Sequence, residues 1–460
     1  MTAILDELRQ ALGDDAVLSA EAAAQRASSY WDPAPLRARA LVRPRSTEEA
    51  SAVLRLCHAA GQPVVIHGGL TGVCEGDRST ANDIVISLER MNRIEEIDPV
   101  GRTATVLAGC TLQALQEAAR DAGLLFPLDL GARGSCTIGG NLATNAGGTN
   151  VIRYGMARAH VLGLEAVLAD GTIVSSMNRM LKNNAGYDLK QLFIGSEGTL
   201  GLITRVVVSL RETLPVVNTV LCALDHEEAL LDLLRAADRK LGGMMSSFEA
   251  MWGDYYRAVT APGWHRSPIE RNHAAYVIIE ASSAAGVLDE ERIGSVVAEL
   301  HQAGLVADAV LPKSDAERAG IWAIREDFEA LRRLEPLFLY DVSVPLQHMQ
   351  HYVSGVRADL DSAWPDGHCF TMGHLGDGNL HFFVHPGSAG GEPLQLQEQS
   401  DQVVYGRLVP FGGSVSAEHG IGLSKKRWLG HSRTPQEMAL MWTLKKAQDP
   451  GNILNPGKVL

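Results

Sequence analysis

Two histidines, His374 and His381, flank a Gly-Asp-Gly turn in "GHLGDGNLHF", and Glu418 and His419 follow in "SAEHG". Such a turn could fold two imidazoles back toward one centre. Two histidines and a carboxylate make an open metal site, with positions left for water or substrate. An ion held there acts as a Lewis acid on a bound oxygen. Any one of these histidines alone reads more naturally as a surface or hydrogen-bonded core residue; the grouping favours the metal. Arg325, in "IWAIRED", has a planar fork that matches a carboxylate. A salt bridge on the helix surface competes with that role, and the residues alone favour the salt bridge.

Glycine supplies a second kind of chemistry. In "VVIHGGLTG", Val64 to Gly72, a strand delivers the chain into a loop with Gly68, Gly69 and Gly72. Such a loop lets backbone N–H groups approach an anion closely; a simple turn is the alternative. It is neither the GxGxxG dinucleotide fingerprint nor the GxxxxGK[ST] phosphate loop. "PLDLGARGSCTIGGNLATNAGG", Pro127 to Gly148, holds six glycines among Ser135, Thr137, Asn141, Thr144 and Asn145. A loop this long is functional or disordered, and apolar Ile138, Leu142 and Ala143 argue against disorder. A chain wrapped around a large polar cofactor explains both the glycines and the donors; a surface Ω-loop is the competing reading. A third segment, "LKNNAGYDLKQLFIGSEGTLGLI", starts polar and becomes an apolar run broken by Gly195, Gly198 and Gly201.

The elements around these segments alternate at first. Ser46 and Glu49 stand at capping-box spacing, and Ala50, Val53, Leu54 and Cys57 fall on one helical face. Val64 to Ile66, Asp83 to Leu88 and Ala104 to Gly109 read as strands, and "TLQALQEAARDAG" as a helix stopped by Gly123. "GLEAVLADGTIV" and "TRVVVSL" read as strands on either side of the third segment. Pro215 marks a boundary. Beyond it, "VNTVLCAL", "AAYVIIEASS" and "LVADAV" alternate with "HEEALLDLLRAADRKLG" and "LDEERIGSVVAELHQAG", the pattern of an antiparallel sheet with helices on one face. Arg325 lies on a strong helix that starts at Ser314 and Glu317, again at capping-box spacing. "RTPQEMALMWTLKKAQDP" is a further helix before the closing "GNILNPGKVL".

The chain of 460 residues is long enough for two or three domains. It is 46% hydrophobic and 21% charged, with a formal net charge of -13. That balance argues against a general nucleic-acid or anionic-membrane surface. The six cysteines are scattered, with no CxxC pair, which suits reduced thiols better than a disulfide framework. "MTAILDELRQALGDD" reads as an acidic amphipathic helix rather than a secretory signal, and no apolar run reaches a membrane span. These features predict a cytoplasmic protein without a transmembrane segment.

"GGLTG", "PLDLGARGSCTIGGNLATNAGGTNVIRYG", "VLGLEAVLADGT", "NNAGYDLKQLFIGSEGTLGLIT", "GHLGDGNLH", "SAEHGIG" and "DPGNILNPGK" together resemble the FAD-linked D-2-hydroxyacid dehydrogenases. That group includes D-lactate and D-2-hydroxyglutarate dehydrogenases and belongs to the vanillyl-alcohol-oxidase type of flavoprotein. The match covers nearly the whole chain in order. It implies an α+β architecture: a two-subdomain FAD-binding domain over 1–214, a ferredoxin-like α+β substrate (cap) domain over 215–417, and a C-terminal helical segment, 418–460, returning to the flavin.

The resemblance also implies site roles. His67, Gly68, Gly69, Leu70, Thr71 and Gly72 would hold the FAD pyrophosphate. Pro127, Gly131, Ser135, Ile138, Gly139, Gly140, Asn141, Ala143, Asn145 and Gly148 would continue the wrap. Glu197, Gly201 and Ile203 would line the adenosine side, and Asn455 would approach the flavin ring. Relatives with covalent flavin carry a histidine where this chain has Leu70, so FAD is expected to be non-covalent. His374, His381 and Glu418 match the ligands of a divalent metal, zinc first, with manganese or iron as alternatives. His419 matches the base, Asn379 a substrate-orienting amide, and Arg325 the partner of the substrate's 1-carboxylate. The expected reaction oxidises a D-2-hydroxy acid to the 2-oxo acid. Electrons then pass to an electron-transfer flavoprotein or another carrier. A homodimer is a family-based expectation.

The sequence departs from the pattern for 2-hydroxyglutarate. Glu329 and Leu339 stand where relatives place a threonine and a lysine beside the distal carboxylate, and neither would welcome a second negative charge. Trp252, Tyr255, Tyr256 and Trp264 read either as cap-domain core or as an apolar substrate pocket. Three alternatives remain: D-2-hydroxyglutarate dehydrogenase proper, a metal-dependent hydrolase with a phosphate-binding loop, and a non-catalytic flavin- or nucleotide-binding protein.

Overall fold

The five early segments read as strands or helices form where the local signals place them. The computed structural model describes residues 3–287 and 290–460. Met1, Thr2, Leu288 and Asp289, which the helix readings include, lie outside the described residues. Ser46 caps the helix Thr47–Ala59 by accepting from the Glu49 N–H at 3.2 Å, and Ala50, Val53, Leu54 and Cys57 are its buried face. Thr111 caps Leu112–Asp121 in the same manner.

The chain divides into two compact units. The first comprises residues 1–147, 155–213 and 418–460; the second comprises 148–154 and 214–417. In the first unit, a four-stranded sheet runs in the order Val17–Ser19, Ala40–Val42, Ile84–Ser87, Val64–His67. The last three strands are parallel to one another, with Val64 opposite Ile84 and Ala40 opposite Ile84 on its other side. Ile84–Ser87 is buried throughout, as a central parallel strand should be. A five-stranded antiparallel sheet runs in the order Ile94–Asp98, Thr103–Leu107, Leu202–Ser209, Val161–Val167, Ile173–Ser176. One continuous apolar core joins Val64, Ile84 and Ile86 to Val106, Leu164, Val206 and Leu454.

The segment 131–148 is not wholly irregular. A short helix, Ile138–Thr144, interrupts it, capped by Thr137 and ended by Asn145 in the left-handed region at φ 54. Glycines at 139 and 140 masked this helix in the sequence, because glycine is a poor helix former. Tertiary packing overrides that preference. A Cβ on Gly139 would lie 2.7 Å from the Ala108 Cβ, so only glycine lets the helix sit this close.

The second unit is built on a seven-stranded antiparallel sheet. Its order is Asp308–Val310, Val216–Leu224, Ala275–Ser283, Met245–Trp252, His368–His374, Asn379–His385, Phe338–Ser343. Ser314 caps the helix Asp315–Glu326, which carries Arg325. Tyr255 and Tyr256 are fully buried and Trp252 is 2% exposed. The two tyrosines belong to an apolar cluster of this unit against which the partly buried Trp264 packs, so these aromatics form core. Among the described residues, no helix is long and apolar enough to cross a membrane.

Candidate functional site

In the first unit, the strand Val64–His67 ends in the loop Gly68–Gly72, which forms one wall of a cleft of about 920 Å³. The wrap closes against this loop so tightly that side chains are excluded. A Cβ on Gly69 would collide with the Ser135 carbonyl oxygen and lie 2.8 Å from the Cys136 Cα. One on Gly68 would lie 2.8 Å from the Thr137 Oγ1. Leu70 adopts a positive φ of 57, a conformation few residues with a side chain accept.

The opposite wall comes from 197–203 and from the chain's end. Asp449 and Lys445 shape that end. Lys445 is buried and donates to Asp449 at 2.5 Å, to the Thr199 carbonyl at 2.9 Å and to the Leu454 carbonyl at 2.9 Å. Asp449 accepts in turn from the Ile453 and Leu454 N–H groups. Leu454 then bridges Val64, and Asn455 is fixed by three bonds. Its Oδ1 accepts from the Ile66 N–H at 3.0 Å, its Nδ2 donates to the Glu197 carbonyl at 2.7 Å, and its N–H donates to the Val64 carbonyl at 2.9 Å.

Glu197 is buried and held at φ 51. Its carboxylate accepts from the Ile421 and Gly422 N–H groups at 2.7 and 2.8 Å. Burial raises its pKa above the ordinary carboxylate range, partly offset by those two donors. Lys458 is buried with no hydrogen-bond partner for Nζ among the described residues, and burial lowers its pKa to about 8. Asp77, a lining residue, likewise has a buried oxygen with no partner. A glycine-walled cradle into which side chains do not fit suits a large cofactor such as FAD, and Lys458, behind the lining, has Asp77 and Asp83 as acidic neighbours.

Of the residues expected to hold FAD, Gly68, Gly69, Leu70, Thr71, Gly72, Gly139, Gly140, Asn141, Ala143, Glu197, Gly201, Ile203 and Asn455 line the cleft. The other seven lie elsewhere. His67 is buried behind the loop, with its Nε2 2.7 Å from the Asp77 carbonyl, and burial lowers its pKa to about 4. Pro127 and Ile138 are buried, Gly131 and Ser135 exposed, and Asn145 caps the short helix. Gly148 falls in the segment that belongs to the second unit. Ile66, Cys74, Gly76, Asp77, Leu88, Cys136, Thr137, Thr144, Gly198 and Leu202 also line the cleft. Thr137, Thr144 and Gly198 stand out in the glycine-rich segments of the sequence; the others carry no local signal.

In the second unit, Arg325 is 6% exposed, so the surface salt bridge is excluded. Its Nε donates to Glu249 at 2.9 Å, and its Nη2 lies 3.3 Å from the His374 Nε2. The His374 Nδ1 is 2.8 Å from Glu249. Burial pushes the Glu249 carboxyl up, but His374 and Arg325 outweigh it and hold its pKa below the ordinary range. The His374 and His381 rings stand 5.5 Å apart at 78° on adjacent strands.

Asn379 is buried and donates from Nδ2 to Asp341 at 2.9 Å and to the Val342 carbonyl at 3.0 Å. Asp341, missed in the sequence, is opposite His381 in the strand register. In the first unit, Glu418 and His419 approach to 3.9 Å. Glu329 pairs with Arg332 at 2.9 Å, and Leu339 is 41% exposed.

Comparison with known proteins agrees with the cleft. Residues 38–176 match the FAD binding domain family, and residues 213–459 match the C-terminal domain of FAD linked oxidases. A D-2-hydroxyglutarate dehydrogenase from Xanthomonas citri pv. viticola is 40% identical over 93% of this chain and 90% of its own. The chain belongs to the FAD-linked D-2-hydroxyacid dehydrogenase family. Within this family, the mitochondrial D-2-hydroxyglutarate dehydrogenase of Bos taurus is 39% identical over 91% of this chain and 76% of its own. Among solved structures, p-cresol methylhydroxylase shares the fold with a TM-score of 0.79 at 15% identity, covering 100% of this chain and 96% of its own. Alkyldihydroxyacetonephosphate synthase shares it with a TM-score of 0.76 at 17% identity, covering 99% and 86%.

Proposed function

We propose that this family member oxidises a D-2-hydroxy acid to the 2-oxo acid. The glycine-walled cleft closed by Asn455 is the observation that carries the reading. Bound FAD supplies a two-electron acceptor, and a divalent ion, zinc first, would make the substrate hydroxyl more acidic. The chain's residues bind, orient and move a proton. Arg325 pairs with the 1-carboxylate and fixes which face of C2 is presented; positioning of this kind supplies several kcal/mol of a barrier. Asn379 orients the hydroxyl end, and the His419 imidazole accepts the hydroxyl proton as general base. His374 and His381 are proposed as metal ligands, with Glu418 the third that the resemblance implies.

Leu70 in place of a histidine supports non-covalent FAD, which acid precipitation should release into the supernatant. The six buried thiols fit a reducing compartment, cytoplasm or mitochondrial matrix alike. An electron-transfer flavoprotein or similar carrier is proposed as acceptor, and a homodimer as the assembly.

The test is anaerobic bleaching of the flavin band near ~450 nm against D- and L-2-hydroxy acids. D-2-hydroxyglutarate leads the panel because the two sequence relatives above are named for it; Glu329 and Leu339 favour an acid without a second carboxylate. Bleaching by D-acids alone supports the proposal. A colourless protein favours a hydrolase, and flavin that no acid reduces favours a binding protein. His419→Ala should retain FAD and lose bleaching, and unchanged reduction in that variant removes His419 as the base.

A further inference from the structure

Glu249 lies on Met245–Trp252, a strand buried at every position, and is itself 1% exposed. An ionised carboxylate there costs several kcal/mol unless paired, and an apolar residue would serve the sheet as well. Its partners are the two second-unit groups proposed above for substrate and metal. Resting on that reading, we propose that Glu249 is a positioning residue for both. One carboxylate sets which nitrogen of His374 is offered to a divalent cation and which edge of Arg325 is offered to the substrate's carboxylate.

The argument runs through donors and acceptors. An ionised carboxylate only accepts, so the His374 Nδ1 at 2.8 Å must carry the proton. The neutral ring then keeps its lone pair on Nε2. Arg325, which only donates, lies 3.3 Å from that same nitrogen, which marks Nε2 as the acceptor; a cation bound there would take that lone pair and free the Nη2 hydrogen for the substrate's carboxylate. A ligating histidine whose other nitrogen donates to a carboxylate is oriented and made more basic. The strand register enforces the pairing, since Glu249 is directly opposite His374.

Arg325 is held through Nε at 2.9 Å, so the edge formed by Nη1 and Nη2 is the one that can meet a carboxylate with two bonds. Its helix is anchored separately: Arg318 and Trp322 both donate to Glu280, at 2.6 and 3.0 Å. The negative charge of Glu249 also offsets the repulsion between a guanidinium and a cation bound at the neighbouring imidazole.

Glu249→Gln, in the FAD-loaded full chain, tests this. Glutamine keeps the shape but has one acceptor oxygen and one donor nitrogen, so it cannot serve both partners. Zinc affinity, measured by competition with a chelator, should fall about 10–100-fold, and KM for the best D-2-hydroxy acid should rise, while FAD content stays near wild type; Tm should fall, because Arg325 is left buried without its counter-charge. In a His374→Ala background, the same change should have no further effect on zinc affinity. Unchanged zinc affinity and KM overturn the proposal, as does an equal zinc loss in the His374→Ala background. If Glu249→Gln fails to fold, Glu249→Gln with Arg325→Met removes the unmatched buried cation and keeps the zinc readout. A wild-type chain that bleaches with substrate but takes up no divalent ion refutes the metal reading and this proposal together. Wild-type uptake matched by the variant refutes this proposal alone.

Discussion

Gly69→Ala adds one methyl group where the first glycine loop meets the wrap. The added Cβ would collide with the Ser135 carbonyl oxygen and lie 2.8 Å from the Cys136 Cα. Both are backbone atoms and cannot rotate away, so one wall of the cleft must shift. Overpacking of this kind costs about 1–3 kcal/mol. Gly69 and Cys136 both line the cleft, so we expect the cost to appear in FAD binding, as roughly 5- to 150-fold weaker affinity at 1.4 kcal/mol per tenfold. The assay is flavin-fluorescence titration of the apoprotein, with Tm recorded alongside. Gly131→Ala is the control. It lies outside the cleft, has no atom within 4 Å of the new Cβ, and has no positive φ. Wild-type FAD affinity in Gly69→Ala, or equal weakening in Gly131→Ala, would refute the steric account.

Two further predictions concern stability and reactivity. His160 is fully buried, and burial lowers its pKa to about 4. The unfolded chain, with an ordinary value of ~6.5, therefore binds more protons between these two values, and the contribution is lost as pH falls through that window. At pH ~5 the loss is about 2 kcal/mol, so urea unfolding of His160→Leu should show that much less acid destabilisation between pH ~8 and ~5; parallel pH profiles would contradict it. All six cysteines are buried, and burial raises the thiols of Cys57, Cys74, Cys222 and Cys369 to about 12. The native protein should thus react with almost no equivalents of a thiol reagent at neutral pH and with six after denaturation; rapid native labelling would disprove the burial.

Local signals carried the elements and the loops. Ser46, Ser314 and Thr434 cap helices through bonds only three residues long, so their chemistry is complete within a short stretch. The glycines at 68, 69 and 139 read in the sequence as room for a cofactor to approach. The fold shows that their missing side chains also make room for Ser135, Cys136, Thr137 and Ala108 of the same chain. The first part of the segment 181–203 is an exposed loop, whereas Glu197, Gly198, Gly201 and Ile203 line the cleft; the same run of glycines reads alike in both settings.

The sequence by itself therefore determined the family, the glycine-rich segments and the candidate chemistry of His374 and His381, since each rests on residue type and short spacing; for Arg325 the residues alone favour a surface salt bridge, and its carboxylate role comes from the resemblance. Only the tertiary structure decided which acids hold them. Glu249 stands 76 residues from Arg325 and 125 from His374, and in sequence it looks like one more charged residue in an apolar run. The partner of a buried charge is chosen by strand register and helix packing. That choice is a property of the folded sheet and leaves no local trace.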